Sequence, residues 1–312
     1  MTIAPDSQRE LFLMSPPGPN WQLRGRANFR SGDAKQVCAD AAFQEWLSLA
    51  RAIQDAGGRV LVLPSDDDMT GLPYCAEAGH ALPPEGTDPR PRFLLPRMWA
   101  EHRTRERELW QPFVEALGFR AICGATGHWE GQGDVDYFRQ TAILFFGGRT
   151  NADGLAAYRA HFPEDALTIE IRQPAFHGNV ALLAVDDCDC IVVCPSLLVG
   201  DAMEKLEQRF GADSLVTISE EEAKGYATNA LPLASRLIAP SIAPARVLGE
   251  LETRDIRVVS LKMRELCEKA GGASRCLVCR IPSAIAALLD GDAVAAAALD
   301  LDALEADRRG PE

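Results

Sequence analysis

Short apolar runs with strand character alternate with segments of helical period along almost the whole chain, and this alternation limits the fold more than any single motif. "ELFLM" (10–14) and "RVLVLP" (59–64) read as strands. Between them Phe43, Trp46, Leu47, Ala50 and Ile53 recur at helical spacing, which predicts a helix over 39–56 stopped by Gly57 and Gly58. Leu109, Trp110, Phe113, Val114 and Leu117 repeat the pattern up to Gly118. "TAILFFGG" (141–148) is expected as a buried strand followed by a helix near 151–161, and "VALLAVDD" with "DCIVVCP" as a hairpin turning near Asp187. Residues 201–210 are expected to be helical and "LVTIS" (215–219) a strand. "SEEEA" (219–223) carries a capping-box pattern. "RDIRVVSL" and "CLVCRI" close the series, with a helix-like 262–270 between them.

A helix-plus-strands unit therefore recurs about five times at intervals of roughly 50–60 residues, a repeat architecture rather than two unrelated domains. The proline-rich stretch 80–95 lies between units and reads as a lid or a connection. The Ala-rich, acidic tail 283–306 is expected as a helix laid on the outside, followed by a polar end, "ADRRGPE". The whole chain, 1–312, is read as one domain with a tail over about 307–312.

The 312 residues, 47% of them hydrophobic, supply a sizeable core, and a net charge of −13 leaves no electrostatic footprint for nucleic acid or an anionic membrane. The first residues lack the basic and apolar segments of a secretory leader, and no stretch of about 18 apolar residues is present. With nine cysteines, an odd number, the expectation is a cytoplasmic protein with free thiols and no membrane contact.

Several positions can carry chemistry. "WEGQGDVDYF" (129–138) places Glu130, Asp134 and Asp136 around two glycines, where the backbone can approach a ligand and carboxylates can accept from a cation; a solvated acidic turn is the plainer reading. His177 in "FHGNVALLAVDD" stands at the mouth of an apolar strand and can exchange a proton at neutral pH or simply hold structure. His80, His102, His128 and His161 form no pair at metal-ligand spacing. Cys276, preceded by Gly271 and Gly272 and flanked by Arg275, has the cationic neighbour that a thiolate needs. Placed three apart in a strand, Cys276 and Cys279 would face opposite ways and share neither a disulfide nor a metal. "CDC" (188–190) reads as a turn with two small residues, and burial is the default for the other cysteines.

Taken in order, "FLMSPP" (12–17), "EGQGD", "GRTNADG", "FHGN", "EEEAKGYATNAL" and "GGASRC" resemble the guanidino-group-modifying (pentein) superfamily: arginine deiminases, dimethylarginine dimethylaminohydrolases, amidinotransferases and, most of all, the amidine-hydrolysing domain of arginine dihydrolases. The resemblance implies a single five-bladed α/β propeller with the active site on its axis. It makes Cys276 the nucleophile that forms a covalent thiouronium-type intermediate and His177 the acid and base. Glu130 becomes the group that orients His177, and Asp134 the carboxylate that holds the cation. It implies a small cationic guanidino substrate and no metal or organic cofactor, and leaves a homo-oligomer open. Asn28, Arg149 and Asn229 become substrate-binding candidates.

Two departures from the family pattern stand out. Asn179 occupies a position usually held by a second cation-binding carboxylate, and Glu77 in "PYCAEAG" (73–79) is the expected replacement for that charge. Trp99 in "RMWAEHR" (97–103) stands where the resemblance to dihydrolases implies an arginine for the substrate carboxylate; Arg149, Arg97 or Arg103 would take over, and Trp99 would stack on the ligand. Arginine, an arginine derivative, a decarboxylated guanidine and another amidine all remain open as substrates. So do hydrolysis, amidino transfer and a catalytically inactive binder. If Cys276 is a nucleophile, Cys279→Ser leaves turnover within a few-fold of the parent; a Cys-x-x-Cys redox protein would lose activity with either substitution.

Overall fold

The computed structural model describes residues 9–25, 28–33, 36–298 and 300–309. The segment read above for the absence of a leader, 1–8, and the last three residues of the polar tail lie outside the described residues.

Strand β1 (Leu11–Met14) is buried at every position, so its four residues are all apolar rather than alternating. It feeds the helix Ala39–Asp55, whose Phe43, Trp46, Leu47, Ala50 and Ile53 form the buried stripe, and the chain returns as β2 (Arg59–Val62) parallel to β1. A parallel pair needs such a crossover, because a tight turn can only reverse the chain.

The same unit then recurs four times, each with an added first strand joined by a hairpin. β3 (His80–Leu82) and β4 (Arg92–Leu95) are antiparallel, and β5 (Arg120–Cys123) returns parallel to β4. β6 (Val135–Phe138), β7 (Thr141–Phe146) and β8 (Leu167–Glu170) follow, then β9 (Leu182–Val185), β10 (Cys190–Val193) and β11 (Leu215–Thr217). The last full set is β12 (Leu231–Leu233), β13 (Arg236–Pro240) and β14 (Arg257–Leu261). The crossover helices are Arg107–Ala116, Ala152–Arg159, Ala202–Phe210 and Ala245–Glu252.

The strand missing from the first unit comes from the far end of the chain. β15 (Cys279–Ile281) pairs antiparallel with β1, Leu11 opposite Ile281 and Leu13 opposite Cys279. The result is five three-stranded sheets, the expected five-bladed α/β propeller. The first strands of the units, β3, β6, β9, β12 and β15, begin between 47 and 55 residues apart, slightly tighter than the sequence pattern suggests. They line the axis, with β15 against β3 and β6 against β9.

Some local expectations change. The stretch 80–95 is the β3–β4 hairpin rather than a lid or a loose connection. "CLVCRI" is a strand only from Cys279 on; Cys276 lies in the turn before it, so the alternation argument for separating the two thiols does not apply. They are separated all the same: the Cys279 thiol points to the Gly79 carbonyl at 3.7 Å, and Cys276 to Asn179. The tail forms three short helices, Ser283–Ala286, Gly291–Ala297 and Leu301–Arg309. The last is pinned by Arg308, which donates to Asp40 and to the carbonyls of Pro17 and Gly18. Cys38 and Cys123 are exposed, against the default of burial, since they sit at a helix entrance and a strand end. No helix among the described residues is long and apolar enough to cross a membrane.

Trp46 is fully buried between the first crossover helix and its sheet. Trp46→Ala is expected to cost about 3–5 kcal/mol in urea denaturation. Leu288→Ala, at a half-exposed position, should stay within about 0.5 kcal/mol of the parent.

Candidate active site

Each unit places polar residues just ahead of its first strand, where the chain enters the axis. Glu77 precedes β3, Glu130 and Asp134 precede β6, His177 and Asn179 precede β9, Asn229 precedes β12 and Cys276 precedes β15. The propeller therefore gathers side chains from positions 77 to 276 at one end of its axis.

Local geometry explains how each is aimed. The tight turn Gly131–Gly133 lies between Glu130 and Asp134; Gly131 has φ +53° and packs so closely on Gly79 and Ala76 that a Cβ would meet their carbonyls at 2.6 and 2.9 Å. After His177 the chain makes a single helical turn, Gly178–Ala181, before the strand starts at Leu182, and this turn directs Asn179 at Cys276. Gly271, at φ +95°, brings the backbone against the Asn28 side chain, leaving 2.3 Å for any added Cβ. The Cys276 turn is then fixed by Asn229, whose Oδ1 accepts from the Ala273 N–H and whose carbonyl accepts from that of Arg275.

His177 is fully buried between two carboxylates. Nε2 lies 2.7 Å from Glu130 Oε2, and Nδ1 lies 3.2 Å from Glu77 Oε1 but off the line that a hydrogen bond needs. Asp134 stands behind, 4.0 Å from Nε2, with its oxygens receiving the Thr150 hydroxyl at 2.7 Å and the Gly178 N–H at 2.8 Å. Burial opposes a charge on His177, but Asp134, Glu130 and Glu77 together outweigh it and push the imidazole up to about 9. Burial also works against Glu130, yet the His177 hydrogen bond and charge, with Arg149 and Arg103, hold it down to about 2. Asp134 is raised to about 6, chiefly by burial.

Glu77 shares its charge. Its Oε2 lies 3.1 Å from Arg103, whose guanidinium also makes a two-pronged contact with Glu106 and donates to the carbonyls of Gly71 and Tyr74. The Arg103 charge is thus already shared by two buried carboxylates. Arg97 is spent on the carbonyls of Gly127 and Gly124. Arg149 keeps its freedom: it lies over the Phe176 ring at 4.8 Å, 3.9 Å from Glu130, with a buried Nε that has no partner.

Cys276 is 2% exposed, and Asn179 Nδ2 approaches its sulfur at 3.7 Å. Burial, with the Glu77 charge, pushes the thiol up to about 12, against the pull of Asn229, Asn179 and Arg149. Arg275 does not supply the cationic neighbour expected from sequence. Its side chain turns away, toward the Val135 carbonyl and Asp136.

A small cavity of about 60 Å³ opens on this cluster. Cys276 and Glu77 line its buried end, Arg149 and Asn28 its flank, and the exposed Arg24 and His102 its mouth. Asn28 does more than border the cavity, since its side chain also ties 28–31 to the Ala270 carbonyl. The Trp99 side chain is half-exposed and outside the lining; its contribution is a backbone N–H donated to Glu130 at 2.7 Å. Sequence reasoning missed Glu106, Thr150 and His102. The first could be found as an i,i+3 partner of Arg103, whereas the other two acquire their position only when distant segments meet.

Three comparisons bear on this site. The family model described as N,N dimethylarginine dimethylhydrolase, eukaryotic, matches residues 26–282. An uncharacterized protein of Caenorhabditis elegans is 24% identical over 77% of this chain and 83% of its own length. Among solved structures, the product-bound N-terminal domain of ArgZ, an arginine dihydrolase from the ornithine-ammonia cycle in cyanobacteria, superposes with a TM-score of 0.78 at 18% identity, covering 87% of this chain and 97% of that one. A dimethylarginine dimethylaminohydrolase adduct with S-methyl-L-thiocitrulline superposes with a TM-score of 0.67 at 19% identity, covering 87% and 99%.

Folded, His177 holds its proton up to about 9; unfolded, it loses it near ~6.5. The charged ring therefore stabilises the fold fully below ~6.5, and that contribution is lost as pH rises to the folded value. Glu130→Gln should lower the His177 titration point in an NMR pH series and flatten the decline in stability across this window. An unmoved titration point would show that Glu130 does not hold the proton on His177.

Proposed function

The chain belongs to the dimethylarginine dimethylhydrolase family, within the guanidino-modifying pentein enzymes, and from that premise we propose that it is a cysteine-dependent hydrolase of the guanidinium group of an arginine-like substrate, N-methylated arginine first among them. The observation that carries this reading is the polarity of the cavity. Its buried end holds a thiol and a carboxylate, and its mouth carries Arg24 and His102. A guanidinium pointing inward and an α-carboxylate pointing outward match both ends, with Arg149 as the free guanidinium for the carboxylate.

At neutral pH the empty site holds a neutral thiol, with its value near 12, and a charged imidazole, with its value near 9. The bound cation supplies the charge that makes the thiolate affordable, and the thiol proton leaves to solvent as the substrate seats. Glu77 faces the cation beside Cys276, while Asp134 acts by holding charge on His177. The thiolate attacks the central guanidinium carbon. As the tetrahedral adduct collapses, the bond to the departing nitrogen breaks and His177 gives that nitrogen a proton, leaving a thiouronium on Cys276. Neutral His177 then takes a proton from water, hydroxide adds to the same carbon, and the C–S bond breaks to return the thiolate and, once the added hydroxyl has given its proton to solvent, a neutral ureido product. Asn179 and Asn229 support the sulfur and its turn. No metal or organic cofactor takes part, so chelators leave the rate unchanged.

Incubation with arginine, N-methylated arginines and decarboxylated guanidines, with products scored by mass, tests the reading. The expected result is a citrulline-type product plus ammonia or a methylated amine, abolished in Cys276→Ser and lowered at least tenfold in kcat/KM by Glu77→Gln. An amidino group recovered on an added amine would replace hydrolysis with transfer. No turnover of any of these, with Cys276 no more reactive toward 2-chloroacetamidine than toward neutral chloroacetamide, would falsify the enzymatic reading.

A further inference from the structure

A second cavity lies apart from the one at Cys276. A space of about 260 Å³ opens at the other end of the axis, along and beyond the first strands of the units, with Arg275 on its wall. Arg275 and Cys276 are consecutive residues of one turn, and they line two different cavities.

Arg275 is an unusual group to leave there. It is 6% exposed, its Nε is buried without a partner, and one terminal nitrogen makes only two long contacts, 3.4 Å each, to the Val135 carbonyl and Asp136. A buried guanidinium with unused donors needs an acceptor, and a carboxylate fits its fork. His80, 5% exposed on the same wall, has a buried Nδ1 with no partner, its Nε2 being engaged by the Tyr137 hydroxyl at 3.0 Å. It offers a second polar contact.

The rest of the lining selects among acceptors. Arg280 and Glu10 neutralise each other through two hydrogen bonds and leave no free cation. Asp186 and Asp187 stand exposed at the rim, each with one oxygen on a backbone N–H. A simple anion would meet these carboxylates on entry, and a simple cation would meet Arg275 at the bottom. A molecule carrying both charges satisfies both, and the apolar wall of Leu183, Ala184 and Pro232 suits a short aliphatic stem.

We propose that this rear cavity is a second ligand site, for a small zwitterion whose two charges are separated by a short aliphatic stem, an ω-amino acid, whose carboxylate is received by Arg275 and whose ammonium group faces Asp186 and Asp187. The proposal is independent of the reaction at Cys276. Titration calorimetry of the full chain with 5-aminopentanoate, pentanoate and n-butylamine tests it, since the last two each keep one of the charges. One equivalent of 5-aminopentanoate should bind, with pentanoate and butylamine at least tenfold weaker. Binding should persist in Cys276→Ala, whose front cavity is altered, and weaken at least tenfold in Arg275→Met and in Ala184→Phe, which fills the rear space. Asp187→Asn, at an exposed position that does not threaten folding, should weaken 5-aminopentanoate while leaving pentanoate unchanged or improved. The proposal is overturned if 5-aminopentanoate gives no saturable heat, if pentanoate matches it, or if Asp187→Asn and a folded Ala184→Phe both bind it like the parent.

Discussion

A buried charge network organises the axial end of the propeller. Glu77, Glu106, Glu130, Asp134, His177 and Arg103 are all 5% exposed or less. Such groups tolerate burial only when each meets a partner. Arg103 lies between Glu77 and Glu106, His177 between Glu77 and Glu130, and Glu130 also accepts the Trp99 N–H. These residues come from three units of the fold, so the sheets must hold their relative positions for the network to close. The short strands and one-sided helices are the scaffold that this closure requires.

The same network sets the protonation pattern of the site. Three carboxylates near one imidazole favour its charged form, while the thiol, buried beside one of them, is disfavoured as an anion. A thiolate next to an imidazolium is therefore not the resting state of this protein. In the proposed reaction, the thiolate depends on an arriving positive charge.

Much of this was legible in the residues, for identifiable reasons. Wholly buried strands such as β7 and β10 must be runs of apolar residues, and the stripe from Phe43 to Ile53 can only be one face of a helix, so the fivefold alternation showed through. The pentein resemblance gathered Glu130, Asp134, His177 and Cys276 as candidates, and the fold brings them to one end. What stayed hidden depended on direction and on long-range pairing. Position next to Cys276 suggested that Arg275 would serve the thiol, but in a tight turn neighbouring side chains diverge. Arg103 looked available to a ligand because one of its partners, Glu77, becomes its neighbour only through the fold. Trp99 drew attention for its ring, whereas its contact with the site is made by its backbone.

The pairing of β1 with β15 has a consequence for the order in which this molecule can be completed. Leu13 finds its partner only at Cys279, so the first sheet to be synthesised is the last to be finished. The segment that carries the thiol sits just ahead of that closing strand, and its turn is braced by Asn229 from the preceding unit. A nascent chain can thus assemble four sheets and most of the charge network before Cys276 arrives. Contacts spanning this much of the chain are slow to form. The placement of the thiol is thereby coupled to the longest-range pairing in the propeller, that of β1 with β15.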